Sequence, residues 1–140
     1  MPPDQLSTTP AVAAMLYHQG LALLLRGRAV DAMHMLKVAI ALDDKFAVAH
    51  AALAVAEAEV LEADRWRHSI DRATRQRNLS RRERQHVAII ALALEGRLAR
   101  ASALGREHLL EFPGDDAVSH VLAMRGTDLD DLQVGERSAG

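Results

Sequence analysis

Ala47-Val48-Ala49-His50 recurs as Ala117-Val118-Ser119-His120, 70 residues further along the chain. Each copy follows a short acidic turn, Leu42-Asp43-Asp44 in the first case and Pro113-Gly114-Asp115-Asp116 in the second. A separation of two units of about 35 residues is the mark of a helical repeat array, in which each unit is one supersecondary element. Working outward from these two copies, features match in a frame of 13–46, 47–81 and 82–116, with a partial fourth unit from 117.

The composition agrees with helices. Apolar residues make up 49% of the 140, yet aromatics are only 3%. Alanine and leucine supply the difference, and both favour close-packed helices over a sheet rich in Val, Tyr and Phe. The pattern predicts helices over about 11–25, 29–42, 46–62, 65–76, 81–95 and 98–111, and a short seventh from Asp116 to Met124. Thr9-Pro10 reads as an N-cap hydroxyl with proline at N1. Ser80 and Glu83 fit a capping box. Gly27 and Gly96 end helices, and Trp66, Ile70 and Ala73 form one stripe at i, i+4, i+7. Residues 1–10 are expected to be a flexible N-terminus, 11–125 the repeat domain and 126–140 a disordered acidic tail.

Between units, small residues recur where helices must cross closely and large apolar ones where units stack. Gly20 matches Ala54, Ala32 matches Ala101, Ala39 matches Ala73, Leu36 matches Ile70, and Gly27 matches Gly96. One hairpin cannot bury its apolar face, whereas three stacked hairpins can.

These positions resemble tetratricopeptide repeats, whose pattern has small residues near positions 8, 20 and 27, a large apolar or aromatic residue at 24, a turn glycine at 15 and proline near 32. The first unit carries Gly20, Gly27, Ala32, Leu36 and Ala39. The second carries Ala54, Ile70 and Ala73, with Leu61 in place of the turn glycine and Trp66 in place of a small residue. The third carries Gly96, Ala101 and Pro113 and departs at Ile89, Gly105 and His108. More narrowly, Ser80-Arg81-Arg82-Glu83-Arg84-Gln85-His86-Val87, with the turn Leu94-Glu95-Gly96, is similar to the amino-terminal part of tetratricopeptide repeat protein 38-type proteins. The resemblance implies an all-α, right-handed α-solenoid of about three helical hairpins plus a short terminal helix. It also implies a concave groove lined by the first helix of each hairpin. By position that groove is Tyr17, Leu21 and Leu24, then Ala51, Val55 and Glu59, then His86 and Ile90. Its apolar lining suits an amphipathic helix of a partner or of another copy, or the chain's own seventh helix or tail.

No catalytic or metal site is expected. The seven histidines (His18, His34, His50, His68, His86, His108 and His120) are never closer than 12 residues, so none forms the three- or four-residue spacing of helical metal ligands. There is no cysteine, no Gly-x-Ser-x-Gly elbow and no glycine-rich phosphate loop. Glu57, Glu59 and Glu62 read as a solvated face. No cofactor is implied.

Charge is uneven although the net value is only −2. Eight arginines (Arg65, Arg67, Arg72, Arg75, Arg77, Arg81, Arg82 and Arg84) face two acids within residues 65–84, and residues 107–140 hold eight acids. The first reading is a protein-facing or solvated basic surface that steers an acidic partner. The second is nucleic-acid or phosphate binding, weakened by the near absence of aromatics to stack on bases. The seventh helix offers Val118, Val121, Leu122 and Met124 with no helix following it. Either it is the cap of the array, with an unusually apolar outer face, or that face is an open end covered by a second subunit, for which a symmetric homodimer is the simplest closed form. The N-terminus lacks a basic region followed by an apolar core, and the longest apolar run, Val87 to Leu94, is far short of a membrane span. The sequence therefore reads as a cytoplasmic, non-catalytic scaffold or adaptor that binds another protein or a second copy of itself.

Overall fold

The computed structural model describes residues 10–60 and 64–125. Among these the chain is all-helical, with seven helices and no strand: α1 (Ala11–Leu25), α2 (Ala29–Leu42), α3 (Ala47–Glu59), α4 (Arg65–Thr74), α5 (Arg81–Leu94), α6 (Leu98–Glu111) and α7 (Asp116–Met124). The expected flexible N-terminus over 1–9, the disordered tail over 126–140, Leu61 and Glu62 lie outside the described residues. α3 and α4 are shorter than expected, ending at Glu59 and Thr74.

The helix ends follow local chemistry. Gly27 and Gly96 adopt φ of 78° and 83°, the left-handed region open to glycine. Around each, two backbone bonds close a Schellman cap. Arg28 N donates to Leu23 O and Gly27 N to Leu24 O, while Arg97 N donates to Leu92 O and Gly96 N to Ala93 O. The capping box forms as expected: Glu83 N donates to Ser80 Oγ at 3.1 Å, and Ser80 N donates to Glu83 Oε1 at 2.9 Å. At α1 the expectation shifts by one residue. Pro10 itself holds the N-cap position, its carbonyl accepting from Ala14 N.

Consecutive helices pair as hairpins, α1 with α2, α3 with α4 and α5 with α6. α3 is the central element. Every residue from Ala47 to Glu57 is buried, because α2, α4 and α5 all pack against it. Its alanines permit that crowding, since a helix surrounded on all sides must be apolar and narrow. The Tyr17 and Phe46 rings meet at 5.1 Å and tie α1 to the start of α3. On α4 the buried stripe is Trp66, Ser69, Ile70 and Ala73, and the Arg67 guanidinium lies 4.4 Å from the Trp66 ring centroid.

Close crossings occur at two glycines. A Cβ on Gly20 would stand 2.9 Å from Leu36 Cγ, so α1 approaches α2 as only a small residue allows. A Cβ on Gly105 would stand 2.6 Å from Leu122 Cδ1. Gly105 occupies the position where the first two units carry Leu36 and Ile70. In the third unit that space belongs to Leu122 of α7.

α7 corrects one expectation. Val118, Val121 and Leu122 are buried and Met124 is half-buried, so α7 does not leave its apolar face open. The helix is turned inward and packs on α6, α5 and also α1. His120 Nε2, 2.7 Å from Glu59 Oε1, ties it to the end of α3. The exposed large apolar side chains lie mainly on the first hairpin, among them Val12, Met15, Val30, Val38 and Leu42.

Candidate functional site

The α6–α7 turn, Phe112-Pro113-Gly114-Asp115, ends one helix and caps the next. Proline at 113 cannot continue α6, and Asp115 Oδ1 accepts from Val118 N at 3.4 Å as the N-cap of α7. The same carboxylate is buried and has a second task. Its Oδ2 is 2.8 Å from Nδ1 of His86 on α5 and 2.6 Å from Nε2 of His108 on α6. An ionised carboxylate only accepts, so both facing ring nitrogens carry their hydrogens and donate. Burial pushes the Asp115 pKa up. The charges and hydrogen bonds of the two imidazoles outweigh burial and hold the carboxyl well below the usual carboxylate range. His108 Nδ1 meets the Gln85 amide at 2.7 Å. With Oε1 facing it the ring is an imidazolium, and with the amide turned over Gln85 donates to a neutral ring.

His86 and Asp115 of this cluster form one wall of a cleft of about 480 Å³ between α1, α5 and the α6–α7 turn. Tyr17, His18 and Leu21 come from α1, and Arg82, Glu83 and His86 from α5. The Arg82 guanidinium lies 5.7 Å from the Phe112 ring centroid. Tyr17 is buried, and burial raises its phenol pKa, with the Asp115 charge adding to the rise and Arg82 opposing it. His86 is also buried. Once Nδ1 is committed to Asp115, its Nε2 has no hydrogen-bond partner among the described residues.

The groove positions expected from the sequence separate here. Tyr17, Leu21 and His86 line the cleft. Leu24, Ala51, Val55 and Ile90 do not; they are almost fully buried and belong to the core. Glu59 is half-buried and engaged by His120. The continuous apolar groove is therefore closed by the chain itself, with α7 lying against α1 and α5.

Glu57 and Glu59, the described members of the expected solvated face, depart from it as well. Glu57 is only 5% exposed and accepts from Ser69 Oγ at 2.6 Å.

The eight arginines do not form one surface. Arg65 and Arg72 line a second cavity between α2, α3 and α4. Arg67 pairs with Asp64, Arg75 with Asp71, and Arg81 with Glu111. Arg84 donates to Leu79 O, Arg82 belongs to the cleft, and Arg77 is exposed in the α4–α5 turn. Sequence neighbours on a helix point in different directions, so a run of like charge is dispersed by the fold.

The sequence reading missed the His86–Asp115–His108 cluster. Its signal was His108, which stands where the first two units carry Ala39 and Ala73. A histidine at a position that elsewhere holds a small buried residue must find a polar partner inside. No group of three or more His, Asp or Glu among the described residues is arranged to hold a metal ion. Asp115 sits between the imidazoles and accepts from both. No helix among the described residues is long and apolar enough to cross a membrane. Searches of family models, curated proteins and solved structures find no match to this chain.

Proposed function

We propose that the chain is a non-catalytic, tetratricopeptide-type interaction module that accepts a segment of a partner protein in the cleft between α1, α5 and the α6–α7 turn. The observation that carries this reading is the fate of the expected groove. Most of it is core, but Tyr17, Leu21 and His86 remain together along one open cleft. Leu21, Val48 and Phe112 offer apolar contact there, and Arg82 offers a guanidinium to a carbonyl or carboxylate. Such a mix suits an extended or helical peptide carrying an apolar anchor. The buried Asp115 anchors His86 in the cleft wall, which lowers the ordering cost of binding.

Site-specific photo-crosslinking in cells tests this. A photoreactive residue at His18 or Leu21 should capture one partner, and Arg82→Glu should abolish that capture. The same residue at Val30, exposed on α2, should not capture it. Equal capture at Val30, or none at His18 and Leu21, would remove the cleft from the account. Self-association belongs to the same class of function. With α7 turned inward, it would draw on the exposed apolar residues of α1 and α2.

A further inference from the structure

The second cavity has a different chemistry. It measures about 340 Å³ and lies between α2, α3 and α4. Leu53 and Ile40 give it apolar wall, and Glu57 and Ser69, bonded to each other, give it a polar wall. Lys37 reaches it from α2, and His68 and Arg72 reach it from α4. These three side chains are exposed, and none makes an ion pair among the described residues. Most other arginines of the run are engaged, Arg67, Arg75 and Arg81 by acids and Arg84 by a carbonyl.

Like charges from helices more than thirty residues apart in sequence converge on one concavity. Glu57, bonded to Ser69 on the polar wall, sets one negative charge against Lys37, Arg65 and Arg72, so the lining keeps an excess of positive charge that a bound anion would offset. The field reaches His50 on the same wall. Burial, then the nearby Arg72 and His68, lower its pKa, against the opposing pull of its Nε2 hydrogen bond to Asp44 O. Lys37 and Arg72 are two permanent positive charges, and His68 is a third when protonated. A compact dianion with several acceptor oxygens answers that arrangement best, since Lys and Arg together offer donors from separate directions. The volume is that of a small-molecule site. A nucleic-acid strand would need an open basic track with stacking rings, and the dispersal of the arginines removes it.

We propose that this cavity binds a small phosphate monoester, with the phosphate held by Lys37, His68 and Arg72 and the organic arm against Ile40 and Leu53. The test titrates the full chain with phenyl phosphate, inorganic phosphate, phenol and a short DNA duplex, following backbone amide shifts. Phenyl phosphate should bind saturably and shift the amides of Lys37, Ser69 and Arg72. Inorganic phosphate should bind at the same amides, more weakly for lack of the arm. Lys37→Gln and Arg72→Gln should each weaken phenyl phosphate about tenfold, the loss of one charged hydrogen bond. Both side chains are exposed, so both variants should keep the helical circular dichroism spectrum. Arg84→Gln, whose guanidinium bonds Leu79 O outside the cavity, should leave affinity unchanged. No saturation by ~10 mM phenyl phosphate would overturn the proposal. So would phenol binding as tightly as phenyl phosphate, or an equal loss in Arg84→Gln. Tighter binding of the duplex, insensitive to Lys37→Gln, would overturn it in favour of a diffuse basic surface.

Discussion

Nδ1 of His86 lies 2.8 Å from Oδ2 of Asp115, 29 residues further along the chain, and both side chains are buried. This bond joins the α6–α7 turn to α5. The same carboxylate takes His108 from α6 and caps α7. One side chain therefore fixes the relative placement of three helices and shapes the wall of the cleft.

Asp115→Asn should be strongly destabilising. The amide keeps the shape but removes the charge and offers a donor where two imidazoles already donate. Breaking a buried charged pair costs roughly 3–5 kcal/mol. Asp116→Asn, at an exposed neighbouring position, should change stability by less than about 0.5 kcal/mol. Urea unfolding of the two variants measures the difference. Equal midpoints would mean that the buried cluster contributes little.

The same group sets the acid limb. Its folded pKa lies below the unfolded value, so the unfolded chain binds the proton first as pH falls. The stability it contributes is complete above about pH 4, the unfolded carboxylate range, and declines as pH drops below that. His50, whose folded pKa is also lowered, acts with the same sign nearer neutrality: its contribution is lost as pH falls through about 6.5. Urea midpoints taken from pH 7 to pH 2.5 should fall in both windows. Asp115→Asn should flatten the lower one and leave the upper one.

Tyr17 governs the opposite limb. Its folded pKa is raised, first by burial and then by the Asp115 charge. Its contribution is therefore complete below the unfolded value of about 10 and is lost as pH rises above it. Thermal unfolding between pH 8 and pH 11 should show the melting temperature falling above pH 10. Tyr17→Phe, which keeps the ring packed on Phe46, should remove part of that fall. An unchanged alkaline limb in the variant would assign it to other groups.

Much of the fold was legible because it rests on local signals. The alanine-rich helices, the capping box at Ser80 and the turn glycines at 27 and 96 each depend on residues close in sequence. The site was less legible because it depends on side chains far apart. Tyr17, Leu21 and His86 could be placed on one face by the repeat frame. Whether that face stayed open depended on α7 reaching back to α1, which no spacing encodes. Glu57 read as solvated because nothing around it in the sequence would perturb a carboxylate. Its fate was decided by Ser69, 12 residues on, in a helix that packs directly over it. The departures from the repeat pattern at Gly105 and His108 were the most informative residues in the third unit. One makes room for Leu122, and the other binds Asp115.

Gly105 offers a test of that closure. In a helix interior, alanine is favoured over glycine by about 1 kcal/mol. Here a Cβ would stand 2.6 Å from Leu122 Cδ1, and Leu122 is only 2% exposed, so its side chain has little space to turn into. Overpacking of this kind costs about 1–3 kcal/mol, which outweighs the propensity gain. Gly105→Ala should therefore destabilise by roughly 1 kcal/mol. Leu122→Val alone should destabilise by about 1 kcal/mol through lost packing. Combined, the two should cost less than their sum, because the smaller side chain frees the space that the new methyl needs. Urea unfolding of the four proteins gives the coupling. Strict additivity would mean that α7 does not press on α6 at this point, and that the inward seat of the terminal helix is held by the His120–Glu59 and His108–Asp115 bonds instead.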